Sequence, residues 1–166
     1  MPPTASSADP GISQVTDRAA TDTGADDPQA RALKDAMAAI NPVYRWLGIE
    51  IEVAGTASAR FAMDVKEQHA NTFGVCHGGI VFAFADLALG FTCNARGERA
   101  ATASASIEFL KPVPLGDRLV GDVICTALSG RNAYYDVVLS LASAPGVTVG
   151  LVRGRMRLTG GPTLAT

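Results

Sequence analysis

The sequence predicts an α+β protein in which one long antiparallel β-sheet wraps around one central α-helix. The first observation behind this is the stretch Asn71 to Asn94, NTFGVCHGGIVFAFADLALGFTCN. After His77-Gly78-Gly79 it carries Ile80, Val81, Phe82, Phe84, Leu87, Leu89, Phe91 and three alanines, with no continuous polar face. A helix that is apolar all round is buried on most sides, and about 15 residues is too short for a bilayer, which takes about 20. The second observation is the order of elements: a helix, two strands, the buried helix, then four strands. It lacks the strand–helix alternation of a parallel sheet. The third is the short connections after the third strand, which join neighbouring strands in antiparallel sense.

Residues 1–25 are Pro, Ser, Thr, Ala, Gly and Asp with almost no large apolar side chain. Such a segment buries too little surface to offset its ordering entropy, which predicts a disordered tail. A single domain is expected over 26–160. Asp26-Asp27-Pro28 reads as a helix start, with Leu33, Met37 and Ile40 at helical spacing and a stop near Asn41-Pro42. A short second turn carries Val43, Tyr44, Trp46 and Leu47 and closes on Gly48. Its apolar residues read as packing, with Trp46 at a substrate entrance as the alternative.

Ile49 to Val53 alternates apolar and acidic residues, as a strand with one wet face does. Ala57 to Val65 is a second strand, and Lys66 to Ala70 a polar loop in which His69 is expected to be solvated. After the central helix come a turn at Ala95–Arg99 and a strand from Ala100 to Leu110, with Ile107 and Phe109 inward. A break follows at Lys111–Asp117, then a strand from Arg118 to Leu128 and a hairpin turn at Ser129–Asn132. The last two strands run from Ala133 to Ala142 and from Val147 to Leu158, separated by Ala144-Pro145-Gly146. Arg153, Arg155 and Arg157 form a wet basic face that keeps a strand soluble. A sheet with one central helix has a second face that is either solvated or met by another subunit.

The chain has 166 residues and a net charge of -2, which argues against a polyanion-binding surface. Three cysteines, Cys76, Cys93 and Cys125, do not make a disulfide framework, and free thiols suit a reducing compartment. No basic, apolar leader opens the sequence, so the cytoplasm is the expected location, with no membrane partner. No CxxC or HxxxH spacing suggests zinc. Dinucleotide, P-loop and α/β-hydrolase signatures are absent, and no cofactor is expected.

Chemistry concentrates in the central stretch. His77-Gly78-Gly79 stands where the helix begins, and first-turn N–H groups lack intrahelical partners and carry the positive end of the dipole. Glycine lets a substrate approach that backbone, so an N–H there can serve as an oxyanion donor, worth about 3 kcal/mol. Glycines that merely permit tight helix–sheet packing give the same pattern. Asp86 is the only ionisable side chain of the apolar helix, and a buried carboxylate must be partnered, protonated or functional. It lies about 12 Å along the helix from Gly78 and about 80° around it. The two converge on one carbonyl only if two copies pack with these helices side by side.

Asn71, Gly74, Cys76-His77-Gly78-Gly79, Phe82, Ala85-Asp86 and Asn94 resemble, in identity and spacing, the PaaI-type acyl-CoA thioesterases of the hotdog fold. Ile107, Phe109-Leu110, Lys111-Pro112, Gly116-Asp117 and Tyr135-Asp136-Val137 continue the resemblance, which covers about residues 43–158. It implies hydrolysis of an acyl-CoA thioester to free acid and CoA without a metal. The acyl group would be aromatic, such as phenylacetyl or hydroxyphenylacetyl, or an aliphatic chain. Asp86 would be general base or nucleophile, the Gly78 N–H would polarise the carbonyl, Asn71 would hold carbonyl or water, and His77 would order the loop. Thr102, or second Ser104, would assist the water. Gly79 would lie against the substrate, and Lys111 and Arg131, with Arg96 and Arg99, are candidates for the CoA phosphates. The resemblance further implies a homodimer sharing its sites, or a homotetramer as a dimer of dimers. A non-catalytic acyl-CoA sensor and a hotdog acyl dehydratase are the rival functions.

Overall fold

The computed structural model describes residues 27–164, so the segment 1–25 read as a tail lies outside the described residues. Helix α1, Pro28–Ile40, starts where the Asp27 carboxylate accepts the Gln29 and Ala30 N–H groups at 2.8 and 3.3 Å. Pro28, with no N–H to satisfy, fits the first turn. Ala30 and Leu33 are buried, but Ile40, expected on the same stripe, is 64% exposed. It sits at the helix end, just before the chain turns at Asn41. The Asn41 side chain accepts the Val43 N–H and so starts α2, Pro42–Leu47. Gly48 ends α2 at φ 69°, a conformation glycine adopts without strain.

Six strands follow: β1 Ile49–Val53, β2 Ser58–Asp64, β3 Glu98–Phe109, β4 Arg118–Ser129, β5 Asn132–Leu141 and β6 Ala144–Pro162. They form one antiparallel sheet in the order β1-β2-β4-β5-β6-β3. Helix α3, Gly78–Asn94, packs on the inner face of that sheet against β2 to β6. This is the hotdog arrangement. Phe61, Met63, Leu119, Val137, Val152 and Met156 meet Phe84, Leu89 and Phe91 of the helix in one core. On the outer face Arg60 and Arg118 bridge Glu50, Glu52, Asp64 and Asp122, as the alternation in β1 requires of a wet face.

Two strand glycines set the height of the helix above the sheet. A Cβ at Gly121 would stand 2.8 Å from Phe84 Cε1, and one at Gly154 would stand 2.5 Å from Leu89 Cδ1. Leu89 is fully buried and has nowhere to swing. Gly154→Val is therefore expected to lift α3 and cost about 1–3 kcal/mol by overpacking. The check is the denaturant midpoint, and an unchanged midpoint would contradict this packing.

Two further expectations change. The β5–β6 turn is at Ala142–Ser143, and Ala144-Pro145-Gly146 belongs to β6. The register jumps there, from Ser140↔Thr148 to Leu141↔Ala144, so the extra residues bulge out of the ladder. Proline is tolerated where no ladder N–H is needed. His69 is not solvated but 1% exposed, with the Trp46 ring edge-on at 6.2 Å, because the polar loop folds back beneath α2.

Candidate functional site

The loop before α3 is tied at its base, where the His77 N–H donates to the His69 carbonyl at 2.8 Å. Within it, Asn71 Oδ1 accepts the Phe73 and Val75 N–H groups at 2.8 and 3.4 Å. The loop thus uses the oxygen of Asn71 and leaves its amide NH2 as the donor that can face a ligand. His77 caps the helix: its Nδ1 accepts the Gly79 N–H at 3.0 Å, and its carbonyl accepts those of Ile80 and Val81. The Gly78 N–H is the first-turn amide that gains no acceptor among the described residues. It sits at the positive end of a 17-residue helix.

Beside it is a cavity of about 310 Å3 lined by Gly78, Cys76, Val81, Phe109, Lys111 and Val149, among others. The Phe109 ring lies over Gly78, where a Cβ would come within 3.2 Å of its Cζ. Burial pushes the Cys76 thiol up to about 11, its Sγ faces the His77 backbone carbonyl at 3.8 Å, and the His77 Nδ1 is already engaged. These observations argue against a Cys/His nucleophilic pair.

Asp86 is half-buried on α3, and its Oδ1 accepts the Thr102 hydroxyl at 2.7 Å. That is a charge-assisted bond at the short end of the normal range. It is possible because Asn94, at the end of α3, holds the start of β3. The Asn94 Oδ1 accepts the Ala100 N–H at 3.0 Å, and its Nδ2 donates to the Gly90 and Ala100 carbonyls at 2.8 and 3.0 Å.

Thr102 and Ser104 do not share a face. A bulge between Thr102↔Met156 and Ser104↔Arg155 breaks the two-residue alternation. Thr102 points at α3, while Ser104 stands on the outer face, where its hydroxyl accepts Arg155 Nε at 3.4 Å. Lys111 lines the Gly78 cavity, whereas the Arg131 guanidinium donates to the Leu158 carbonyl. The Lys111 N–H donates to the Val149 carbonyl, so the points on β6 that these two residues touch stand roughly 30 Å apart at 3.3 Å per residue. Gly79 is exposed, but its N–H is used by His77.

Tyr44 reads in the sequence as a packing residue. Its buried hydroxyl donates to the Leu87 carbonyl at 2.7 Å, on the helical turn that carries Asp86. Burial, and next the Asp86 charge, push its phenol well above the ordinary range. No local pattern announces a bond that spans 43 residues.

The sequence profile described as the Thioesterase superfamily matches residues 73–143. The acyl-coenzyme A thioesterase PaaI of Escherichia coli K12 is 32% identical over 115 residues, covering 69% of this chain and 81% of that protein. The chain belongs to the thioesterase superfamily. It is a thioester hydrolase of the PaaI type. The solved structure of the E. coli PaaI protein superposes with a TM-score of 0.75 at 30% identity, covering 81% of this chain and 96% of that one. A hypothetical thioesterase of Streptococcus pneumoniae TIGR4, solved with coenzyme A, gives 0.64 at 26%, covering 68% and 89%. The same protein has been solved with one aspartate, and with one threonine, replaced by alanine. Among the described residues no helix is long and apolar enough to cross a membrane. No group of three His, Cys, Asp or Glu among them is arranged to hold a metal.

Proposed function

We propose that this thioester hydrolase cleaves acyl-CoA, with Asp86 as general base or nucleophile and the Gly78 N–H as oxyanion donor. The observation that carries the reading is the pair of prepared groups: a first-turn amide without an acceptor, and a half-buried carboxylate held by the Thr102 hydroxyl. In the general-base route, water oxygen attacks the thioester carbon while Asp86 takes its proton. The tetrahedral oxyanion rests on the Gly78 N–H and the Asn71 amide. The C–S bond then breaks, the proton passes to the departing sulfur, and free acid and CoA result. Thr102 donates to Asp86, which leaves its hydroxyl lone pairs to accept from the attacking water.

Supporting the roles of Asp86 and Thr102, the aspartate and threonine replaced in the S. pneumoniae thioesterase stand sixteen positions apart, as these two residues do. Supporting a CoA substrate is the coenzyme bound in that protein. Lys111, at the cavity that contains Gly78, is the nearer candidate for a CoA phosphate, and Arg131 serves only if another subunit brings it close. The site is shared between two copies. Asp86 and Gly78 lie eight residues, about 12 Å, apart on one helix. The partly uncovered stripe Gly79, Ala83, Asp86, Gly90 leaves room for a second helix, and β3 is a free sheet edge beside it. A dimer, alone or doubled into a tetramer, meets these conditions.

Aromatic acyl groups such as phenylacetyl head the candidates, because the E. coli PaaI structure is described as coming from a phenylacetic acid degradation operon. The test is thiol release across a panel of phenylacetyl-, hydroxyphenylacetyl-, benzoyl- and medium- and long-chain acyl-CoAs. Preference for the arylacetyl members is the expected result. Release from none of them removes the reading.

A further inference from the structure

His69 belongs neither to the set Asp86, Thr102, Gly78 and Asn71 nor to the solvent. It is buried to 1% exposure at the end of a short 3-10 turn, Glu67–His69, and forms a closed pair with Lys66. The Lys66 N–H donates to the His69 ring Nδ1 at 3.2 Å, and the His69 N–H donates to the Lys66 carbonyl at 2.8 Å. The next link reaches the site itself, since the His69 carbonyl accepts the N–H of His77, the residue that caps α3 and presents Gly78. Ala70 and Cys76 pair just inside that bond, so residues 69 and 77 are the two ends of the stem from which Asn71 projects. The opposite ring nitrogen, Nε2, is buried without a hydrogen-bond partner among the described residues, so what the ring supplies is an acceptor at Nδ1 and bulk beneath Trp46.

Resting on the hydrolase reading above, we infer that His69 is a positioning residue. Its neutral ring, accepting at Nδ1, locks the turn that sets where His77, and through it the Gly78 N–H, is held. Burial first, then the Lys66 charge, keeps this imidazole below its usual titration range against the opposing pull of the Asp64 carbonyl, and the Lys66 N–H on Nδ1 favours the acceptor form at that nitrogen. The Lys66 N–H is only part-buried in this bond, so without the Nδ1 acceptor it can turn to water at little cost, and the turn opens, carrying the His77 anchor with it. The His69 ring itself does not touch the reacting atoms.

The experiment compares His69→Leu with His69→Asn. Leucine keeps bulk but removes the acceptor, whereas an asparagine carbonyl oxygen can stand near the place of Nδ1. On the acyl-CoA that the wild type turns over best, His69→Leu is expected to lower kcat by about tenfold or more with KM nearly unchanged. That is the signature of a displaced transition-state contact. His69→Asn should recover to within about threefold of wild type. Equal activity in all three proteins, or equal loss in both variants, overturns the inference. Amide hydrogen exchange at His77 gives a readout without substrate: faster in the leucine variant, near wild type in the asparagine variant. Unchanged exchange in the leucine variant overturns the inference even if no acyl-CoA is hydrolysed. Should the leucine variant not fold, nitrogen NMR of the wild type decides. The proton must reside on Nε2, and a proton on Nδ1 refutes the role.

Discussion

Asp86→Asn is expected to cut thiol release by about 100-fold or more while leaving the fold in place, the scale of losing an acid/base group. The substitution separates the carboxylate's observed hydrogen bond from its proposed chemistry. As an acceptor it binds the Thr102 hydroxyl at 2.7 Å, and the carbonyl oxygen of an asparagine accepts the same bond. As a base or nucleophile it needs a lone pair on a charged oxygen, which the amide lacks. Structure and Thr102 geometry should therefore survive while turnover falls. Steady-state kinetics with a thermal melt on the same sample is the check. Turnover near wild type in a folded variant would remove Asp86 from the mechanism.

Complementation is the second large effect. Asp86→Asn and Asn71→Ala proteins, each nearly inactive alone, should regain about a quarter of wild-type activity after subunit exchange. Half of randomly exchanged two-fold dimers are hybrids, and each hybrid has one intact site of two. The expectation follows from α3 itself: Gly78, with its approach from Asn71, and Asp86 lie too far apart along one rigid helix to grip one carbonyl from the same chain. No recovery, with exchange demonstrated by mass spectrometry, would mean that each chain works alone.

Much of this was legible without coordinates. The apolar circumference of Ile80 to Phe91 announces a buried helix, and His77-Gly78-Gly79 marks its start. Alternation in Ile49–Val53 and in Val152–Leu158 separates a wet face from a core face. These are local signals, because side-chain period and capping chemistry act over a few residues. Asp86 stood out for the same reason, as the only charge in an apolar helix.

Other features arise only when distant segments meet. The sequence offers both Thr102 and Ser104, two small hydroxyl residues at strand spacing, with Thr102 first. The ladder with β6 inserts a bulge between them and sends one to Asp86 and the other to Arg155. His69 reads as a loop residue among charges and becomes a buried anchor only because α2 lays Trp46 across it. Asn71 offers both oxygen and nitrogen on paper, and loop closure consumes the oxygen. Composition and periodicity therefore determined the fold class and the buried central helix, and the resemblance put forward Asp86 as its acid and Gly78 as its amide. Tertiary structure decided which hydroxyl meets Asp86, which histidine is buried and which end of the Asn71 side chain the loop consumes. Register, bulges and burial depend on contacts between residues far apart in sequence, and no local pattern encodes them.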